Sequence, residues 1–315
     1  MKAMRQGWRL GGLAVLGLAA SLGRLAPAQA TSPPEAAVVP NPAPARCERP
    51  VYLTFDTGHM GVAPLVAEVL ARYDVKVTFF LANERTRSGG TSLDDEWAPW
   101  WKARAAEGHA FGSHTWDHDV WRADLAGGTR TDDTITAGGD AGANAGARPQ
   151  GALASGTPVA FRVKPTMGPQ AGRERTLTPQ AYCQALKEPA RRFQAMTGQP
   201  MSAIFRAPGG KTSPALLRAA DECGFTHVGW TPAGFLGDEL PSDRYPNERL
   251  LQQALRDVKA GDILLAHLGI WSRQDPWAPA VLEPLITGLK ARGLCFATLR
   301  EHPSLGAAAR RAVAP

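Results

Sequence analysis

The chain has 315 residues, 44% hydrophobic and 20% charged, with 33 Gly and 26 Pro. This composition suits a folded globular protein with material for a large core, and it excludes a wholly disordered or coiled-coil chain. The net charge is +6, but Lys2, Arg5, Arg9 and Arg24, with no acid among them, place most of it in residues 1–30; the rest is nearly balanced, so a basic nucleic-acid groove is not supported and no nucleic-acid partner is expected.

Lys2, Arg5 and Arg9 precede an apolar run, Leu10 to Leu22, and Ala28-Gln29-Ala30 is a small-x-small cleavage signal. This is the layout of a secretory signal peptide over residues 1–30. The apolar run is shorter than the roughly 20 residues a spanning helix needs. The mature protein is therefore expected to be exported, periplasmic or secreted, with no stable membrane insertion. Export permits disulfides, and the four cysteines (Cys47, Cys183, Cys223, Cys295) allow three connectivities. Cys47 precedes the first strand and Cys295 lies in the last. In a closed barrel those strands are neighbours, which favours that pair; four buried thiols are the alternative.

Residues 31–49 form a Pro-rich linker, with Pro33, Pro34, Pro40, Pro42 and Pro44. From residue 50, short apolar runs read as buried parallel strands at Val51–Phe55, Val75–Ala82, Ala110–Ser113, Ala203–Arg206, Thr226–Trp230, Asp262–Ala266 and Leu294–Thr298. Helical stripes lie between them: Val62, Leu65, Val66, Val69 and Leu70, then Leu250, Leu251, Ala254, Leu255 and Val258. Thr178-Pro179 and Ser213-Pro214 are helix starts. The alternation predicts an α/β fold with a parallel sheet or barrel of about seven strands. A Gly/Ala-rich stretch at about 124–157 reads as a flexible surface insertion. The segment Phe161–Pro165, with Arg173 and Arg175 nearby, reads as a solvated loop, or else as a basic rim for an anionic polymer.

Chemistry concentrates at strand ends. His114-Thr115-Trp116-Asp117-His118 follows the third strand, and its two histidines share a face and one metal if the segment takes a helical turn. Asp56, in Thr54-Phe55-Asp56-Thr57-Gly58-His59, ends the first strand. Arg206-Ala207-Pro208-Gly209-Gly210, Trp230-Thr231-Pro232 and His267 end three others. In a parallel α/β barrel that edge gathers catalytic groups. No G-x-S-x-G elbow is present, which disfavours a serine hydrolase.

The ordered set T-F-D-x-G, H-T-x-x-H, R-x-P-x-G and L-x-H resembles the NodB-type polysaccharide deacetylases of carbohydrate esterase family 4, over about residues 50–300. The resemblance implies a distorted (β/α) barrel as one catalytic domain, here 50–302, with a tail at 303–315. It implies a divalent metal, usually zinc, and hydrolysis of N-acetyl groups on GlcNAc- or MurNAc-type glycans; two histidines and a weak oxygen ligand would also accept cobalt or nickel. The partner is then an acetylated polysaccharide or peptidoglycan. By the same resemblance Asp56 is the catalytic base, Arg206 its orienter, His267 the general acid, and His114 and His118 metal ligands. A backbone N–H near Gly58-His59 would hold the oxyanion.

Two departures stand out. The family usually has a second, metal-binding Asp where this chain has Thr57, a weaker ligand; some muramic-acid deacetylases of the family carry Asn there. His59 is a further candidate ligand, or else faces substrate. After Trp230 the nearest acid is Asp238, in poor register with the family's fourth motif. Trp116, Pro208, Gly209, Trp230 and Trp271 are candidate sugar-contacting positions, with core packing as the alternative for the tryptophans. A non-catalytic glycan-binding relative and an O-acetyl esterase remain as other readings.

Overall fold

Each of the seven apolar runs coincides with or overlaps a strand in the computed structural model, which describes residues 47–126 and 160–313. In chain order the elements are β1 (Pro50–Asp56), α1 (Ala63–Arg72), β2 (Thr78–Leu81), α2 (Ala98–Ala106), β3 (Ala110–Ser113), β4 (Asp119–Leu125), β5 (Ala160–Pro165), β6 (Arg175–Leu177), α3 (Pro179–Thr197), β7 (Ile204–Phe205), α4 (Pro214–Glu222), β8 (Thr226–His227), α5 (Asn247–Asp257), β9 (Ile263–His267), α6 (Leu282–Ala291), β10 (Cys295–Phe296) and α7 (Gly306–Arg310). The signal peptide, almost all of the linker and almost all of the Gly/Ala-rich insertion lie outside the described residues.

A seven-stranded sheet runs β10-β1-β2-β3-β7-β8, with β9 also paired to β1, and every pairing in it is parallel. Beyond β8 the chain reaches β9: Phe235 bridges Leu265 in parallel, and the Thr231 N–H donates to the Ile263 carbonyl at 3.2 Å. The sheet thus curls toward closure as a distorted barrel. Strand residues alternate between two buried environments. Leu53, Phe55, Phe79 and Phe111 pack outward against helices, in one core with Val66 and Leu70 of α1 and Leu285 and Leu289 of α6. Tyr52, Phe80, Ile204, Val228 and Ile263 cluster together with Leu299, Ala308 and Ala309. Residues buried on both faces explain why these strands read as unbroken apolar runs.

The two N-caps form as the sequence suggests. Thr178 and Ser213 side chains accept from the Ala181 and Leu216 N–H groups at 3.1 Å each. In α1, Leu65 departs from its stripe and is 41% exposed. Both disulfides close, Cys47–Cys295 and Cys183–Cys223. The first fastens the entry of β1 to β10, the pairing that barrel adjacency favoured.

Two readings are corrected. Phe161–Pro165 is not a solvated loop but most of β5, the middle strand of an antiparallel sheet β4-β5-β6. Phe161, Val163 and Pro165 are buried while Arg162 and Lys164 face out, a period-2 pattern that fits a half-buried strand. Arg175 is no basic rim either: it holds Asp117 and Asp119 at 2.9 and 2.8 Å. The expected tail is part of the fold as far as residue 313. Ala308 and Ala309 of α7 are buried, and Ala312 bridges Ser202.

Candidate active site

The C-terminal edge of the parallel sheet carries the site. Register places Asp56, the last residue of β1, directly beside His267, the last of β9. Arg206 follows β7 and is fully buried. Its Nη1 donates to Asp56 Oδ1 at 2.8 Å, while Nε and Nη2 donate to the Val228 and Gly229 carbonyls at 3.3 and 3.2 Å. The Phe80 ring lies 4.3 Å beneath the guanidinium and the Trp230 ring 5.7 Å away. Every side of Arg206 is thus fixed. Burial alone would raise the Asp56 carboxyl, but the charge of Arg206 and the neighbouring His114 and His267 hold it below its ordinary value.

His114 is buried beside Asp56. Its Nδ1 lies 2.8 Å from the Arg206 carbonyl, which only accepts, so Nδ1 carries the proton. Nε2 therefore presents a lone pair, 3.3 Å from Asp56 Oδ2. Burial pushes the ring down to about 4 despite Asp56, so this contact is a neutral ring against a carboxylate. Two acceptors facing each other want a cation between them. His118 lies alongside, ring centroids 4.8 Å apart, with its Nδ1 tied to Thr166 Oγ1 at 2.8 Å.

The two rings are not brought together by a helical turn. Thr115 and His118 both take left-handed backbone, φ 58° and 52°, at a cost of roughly 1–2 kcal/mol each. The turn is held from several directions. Asn83 N–H donates to Trp116 O at 2.8 Å, Trp116 N–H to Ala185 O at 2.9 Å, and Asp119 N–H to Thr115 Oγ1 at 2.8 Å. Strain maintained this way is a mark of a functional position.

On the other side of Asp56 stands His267. Its N–H donates to Asp238 Oδ2 at 2.6 Å, and its Nδ1 lies 3.1 and 3.2 Å from the two Asp238 oxygens. Burial disfavours the imidazolium, but the carboxylates around it, Asp238 foremost, prevail and push the ring up to about 10. Glu239 Oε2 is 3.6 Å from Nε2. Asp238 reaches this place because Phe235 pairs with Leu265, and the two segments then run on side by side.

The Gly58-His59 backbone does not supply an oxyanion donor. Gly58 N–H is spent on Glu84 Oε2 at 2.6 Å and His59 N–H on the Gly269 carbonyl at 2.9 Å. Thr57 Oγ1 donates to the same Glu84 oxygen and accepts from Ala82 N–H at 3.2 Å. The His59 ring is buried; its Nδ1 accepts from Gly61 N–H at 2.9 Å, and it meets Trp271, 61% exposed, at 5.0 Å. His59, Arg87, Asp238, His267, Ile270 and Trp277 line a small pocket opening beside the site. Trp116 lines a separate groove with Arg175 and Glu188, away from this cavity's lining. Pro208 is buried and Gly209 exposed in the turn after Arg206.

The donors suit a divalent cation. His114 and His118 are adjacent imidazoles, each with its Nδ1 occupied by another group, the arrangement in which Nε2 serves as ligand. A third ligand is not in place: among the described residues no three His, Cys, Asp or Glu side chains form a ready-made cluster. Residues missed from the sequence are Glu84 and Glu239, which carry no motif. Asp238 stands near the fourth motif, but its sequence position alone gives it no role.

A polysaccharide deacetylase family model matches residues 43–228. The peptidoglycan-N-acetylglucosamine deacetylase PgdA of Listeria monocytogenes is 35% identical over 86 residues, 27% of this chain and 17% of that protein's length. The fold is similar to a family 4 acetyl xylan esterase from Clostridium thermocellum solved with a cobalt ion (22% identity, 82% of this chain and 91% of that chain, TM-score 0.53). It is also similar to a family 4 pseudoenzyme from Bacillus anthracis (20% identity, 81% and 65%, TM-score 0.51).

Proposed function

Because the chain belongs to the polysaccharide deacetylase family, we propose that it is an exported, divalent-metal-dependent hydrolase removing N-acetyl groups from a glycan, with peptidoglycan the first substrate to test. One observation carries this reading: an ionised, Arg206-held Asp56 and a protonated, Asp238-held His267 stand side by side at the sheet edge. Pure binding needs no such base and acid pair. The two disulfides support export.

A cation held by His114 and His118 would supply Lewis acidity toward the acyl carbonyl and a water, and zinc, cobalt and nickel all accept such ligands. Asp56 takes the proton of the attacking water, with Arg206 keeping its oxygens aimed. The departing sugar amine is a poor leaving group until protonated, and His267 is the donor for that step. Asp238 holds the imidazolium by both charge and hydrogen bond. Trp271, exposed beside His59, offers a sugar-stacking face.

The test is acetate release from N- and O-acetylated oligosaccharides by mature protein stripped of metal and then given zinc. Zinc-dependent release from N-acetylated glycan, abolished in Asp56→Asn with binding kept, is expected. Release from O-acetylated substrate alone would make it an esterase. Equal inertness of wild type and Asp56→Asn, both binding glycan, would make it a binding relative.

A further inference from the structure

Thr57 occupies the position where the family usually carries a metal-binding carboxylate, yet a carboxylate from the neighbouring strand is anchored against it. Glu84 lies just beyond β2, buried, with its main chain fixed by one residue. Ser92 Oγ accepts from Glu84 N–H at 3.0 Å and donates to Ala82 O at 2.6 Å, while Ser92 N–H donates to Glu84 O at 2.7 Å. The side chain is fixed as well. Oε2 accepts from both Thr57 Oγ1 and Gly58 N–H. Among the described residues, no hydrogen bond reaches Oε1 and no Lys, Arg or His pairs with Glu84 within 4 Å. Oε1 is not among the enclosed unsatisfied oxygens, so it is open to a further partner. Glu84 is bonded to Thr57 and Gly58, the two residues that follow Asp56, and Asp56 Oδ2 lies 3.3 Å from His114 Nε2.

We propose that Glu84 is the carboxylate ligand of the divalent-cation site, replacing the aspartate absent at position 57, with Thr57 and Gly58 as its orienting donors. The hydroxyl of Thr57 then directs Glu84 instead of binding the cation itself. The inference rests on His114 and His118 being ligands.

The test measures binding, not turnover. Metal-stripped protein is titrated with zinc by calorimetry, as wild type, Glu84→Gln, His114→Ala and the double variant Thr57→Asp/Glu84→Gln. Glutamine keeps an oxygen to accept from Thr57 and Gly58, so the anchoring role survives and only the charge is lost. The expected result is a zinc dissociation constant raised in Glu84→Gln by more than the roughly 10–100-fold typical of losing an outer partner. Most of that loss should be recovered in the double variant, and the thermal midpoint of the metal-free protein should be little changed. If Glu84→Gln binds zinc like wild type while His114→Ala does not, Glu84 is overturned and the histidine site stands. A double variant no tighter than Glu84→Gln also overturns it. If wild type and His114→Ala bind alike, both readings fall. Should Glu84→Gln not fold, Glu84→Asp, one methylene short, is titrated under the same criterion: affinity equal to wild type overturns the proposal.

Discussion

Asp238 grips His267 twice, at the backbone N–H through Oδ2 at 2.6 Å and at the ring Nδ1 through both oxygens at 3.1 and 3.2 Å. The first bond sets where the residue sits and the second sets its charge. With its pKa pushed up to about 10, His267 stays protonated through neutral pH, the state that the proposed proton-donor role requires.

Asp238→Asn keeps the shape and removes the charge. The alkaline limb of the kcat/KM profile should then move from near pH 10 toward neutrality. Turnover at pH 8 should fall by roughly 10²-fold or more, the scale of a lost general acid. The same change alters stability. A folded-state pKa above the ordinary 6.5 gives stabilisation fully present below about pH 6.5 and lost as pH rises toward 10. Thermal midpoints across pH 6–10 should therefore decline less in Asp238→Asn than in wild type; an equal decline would remove this pair as the cause.

Arg206 and Asp56 form a buried ion pair, and breaking one partner leaves an unpaired charge. Arg206→Leu should cost about 3–5 kcal/mol in chemical denaturation. Asp56→Leu combined with Arg206→Leu should recover much of that stability while remaining inactive. If the double variant is as unstable as the single, the Arg206 bonds to the Val228 and Gly229 carbonyls, not the ion pair, dominate.

Gly58 has φ 60°, and a Cβ there would stand 2.1 Å from the Gly269 carbonyl oxygen. Gly58→Ala should destabilise by about 1–3 kcal/mol through overpacking, and it should also displace the Glu84 anchor. Zinc affinity measured beside the unfolding midpoint would show both effects. A variant with unchanged affinity would mean that Gly58 N–H is dispensable for holding Glu84.

The parallel strands were legible because residues buried on both faces read as apolar runs, and Asp56, His114, Arg206 and His267 were legible because they end those runs. What escaped the sequence was set by other means. The β4-β5-β6 sheet was obscured because β4 and β5 are separated by the Gly/Ala-rich stretch and each shows only a brief alternation. Asp238 reaches His267 through strand pairing at Phe235, with no fixed spacing to announce it. The His114–His118 turn depends on left-handed backbone at Thr115 and His118, residue types that do not advertise it. Glu84 sits in a loop, and only the Ser92 clasp makes its position definite.

The two disulfides make a final, separable prediction. Cys47–Cys295 spans 248 residues and ties down the strand that carries Asp56, whereas Cys183–Cys223 spans 40 and joins α3 to the end of α4. If constraint of the unfolded chain dominates, removing the longer bridge by Cys47→Ala/Cys295→Ala should cost about 1.6 kcal/mol more than Cys183→Ala/Cys223→Ala, from the logarithm of the loop-length ratio. Urea unfolding of both variants under oxidising conditions measures the difference. The first variant should also lose activity at a lower temperature, because β1 enters the sheet through its pairing with β10 before it delivers Asp56 to the edge. Equal costs would mean that folded-state packing around each bridge outweighs the chain-entropy difference.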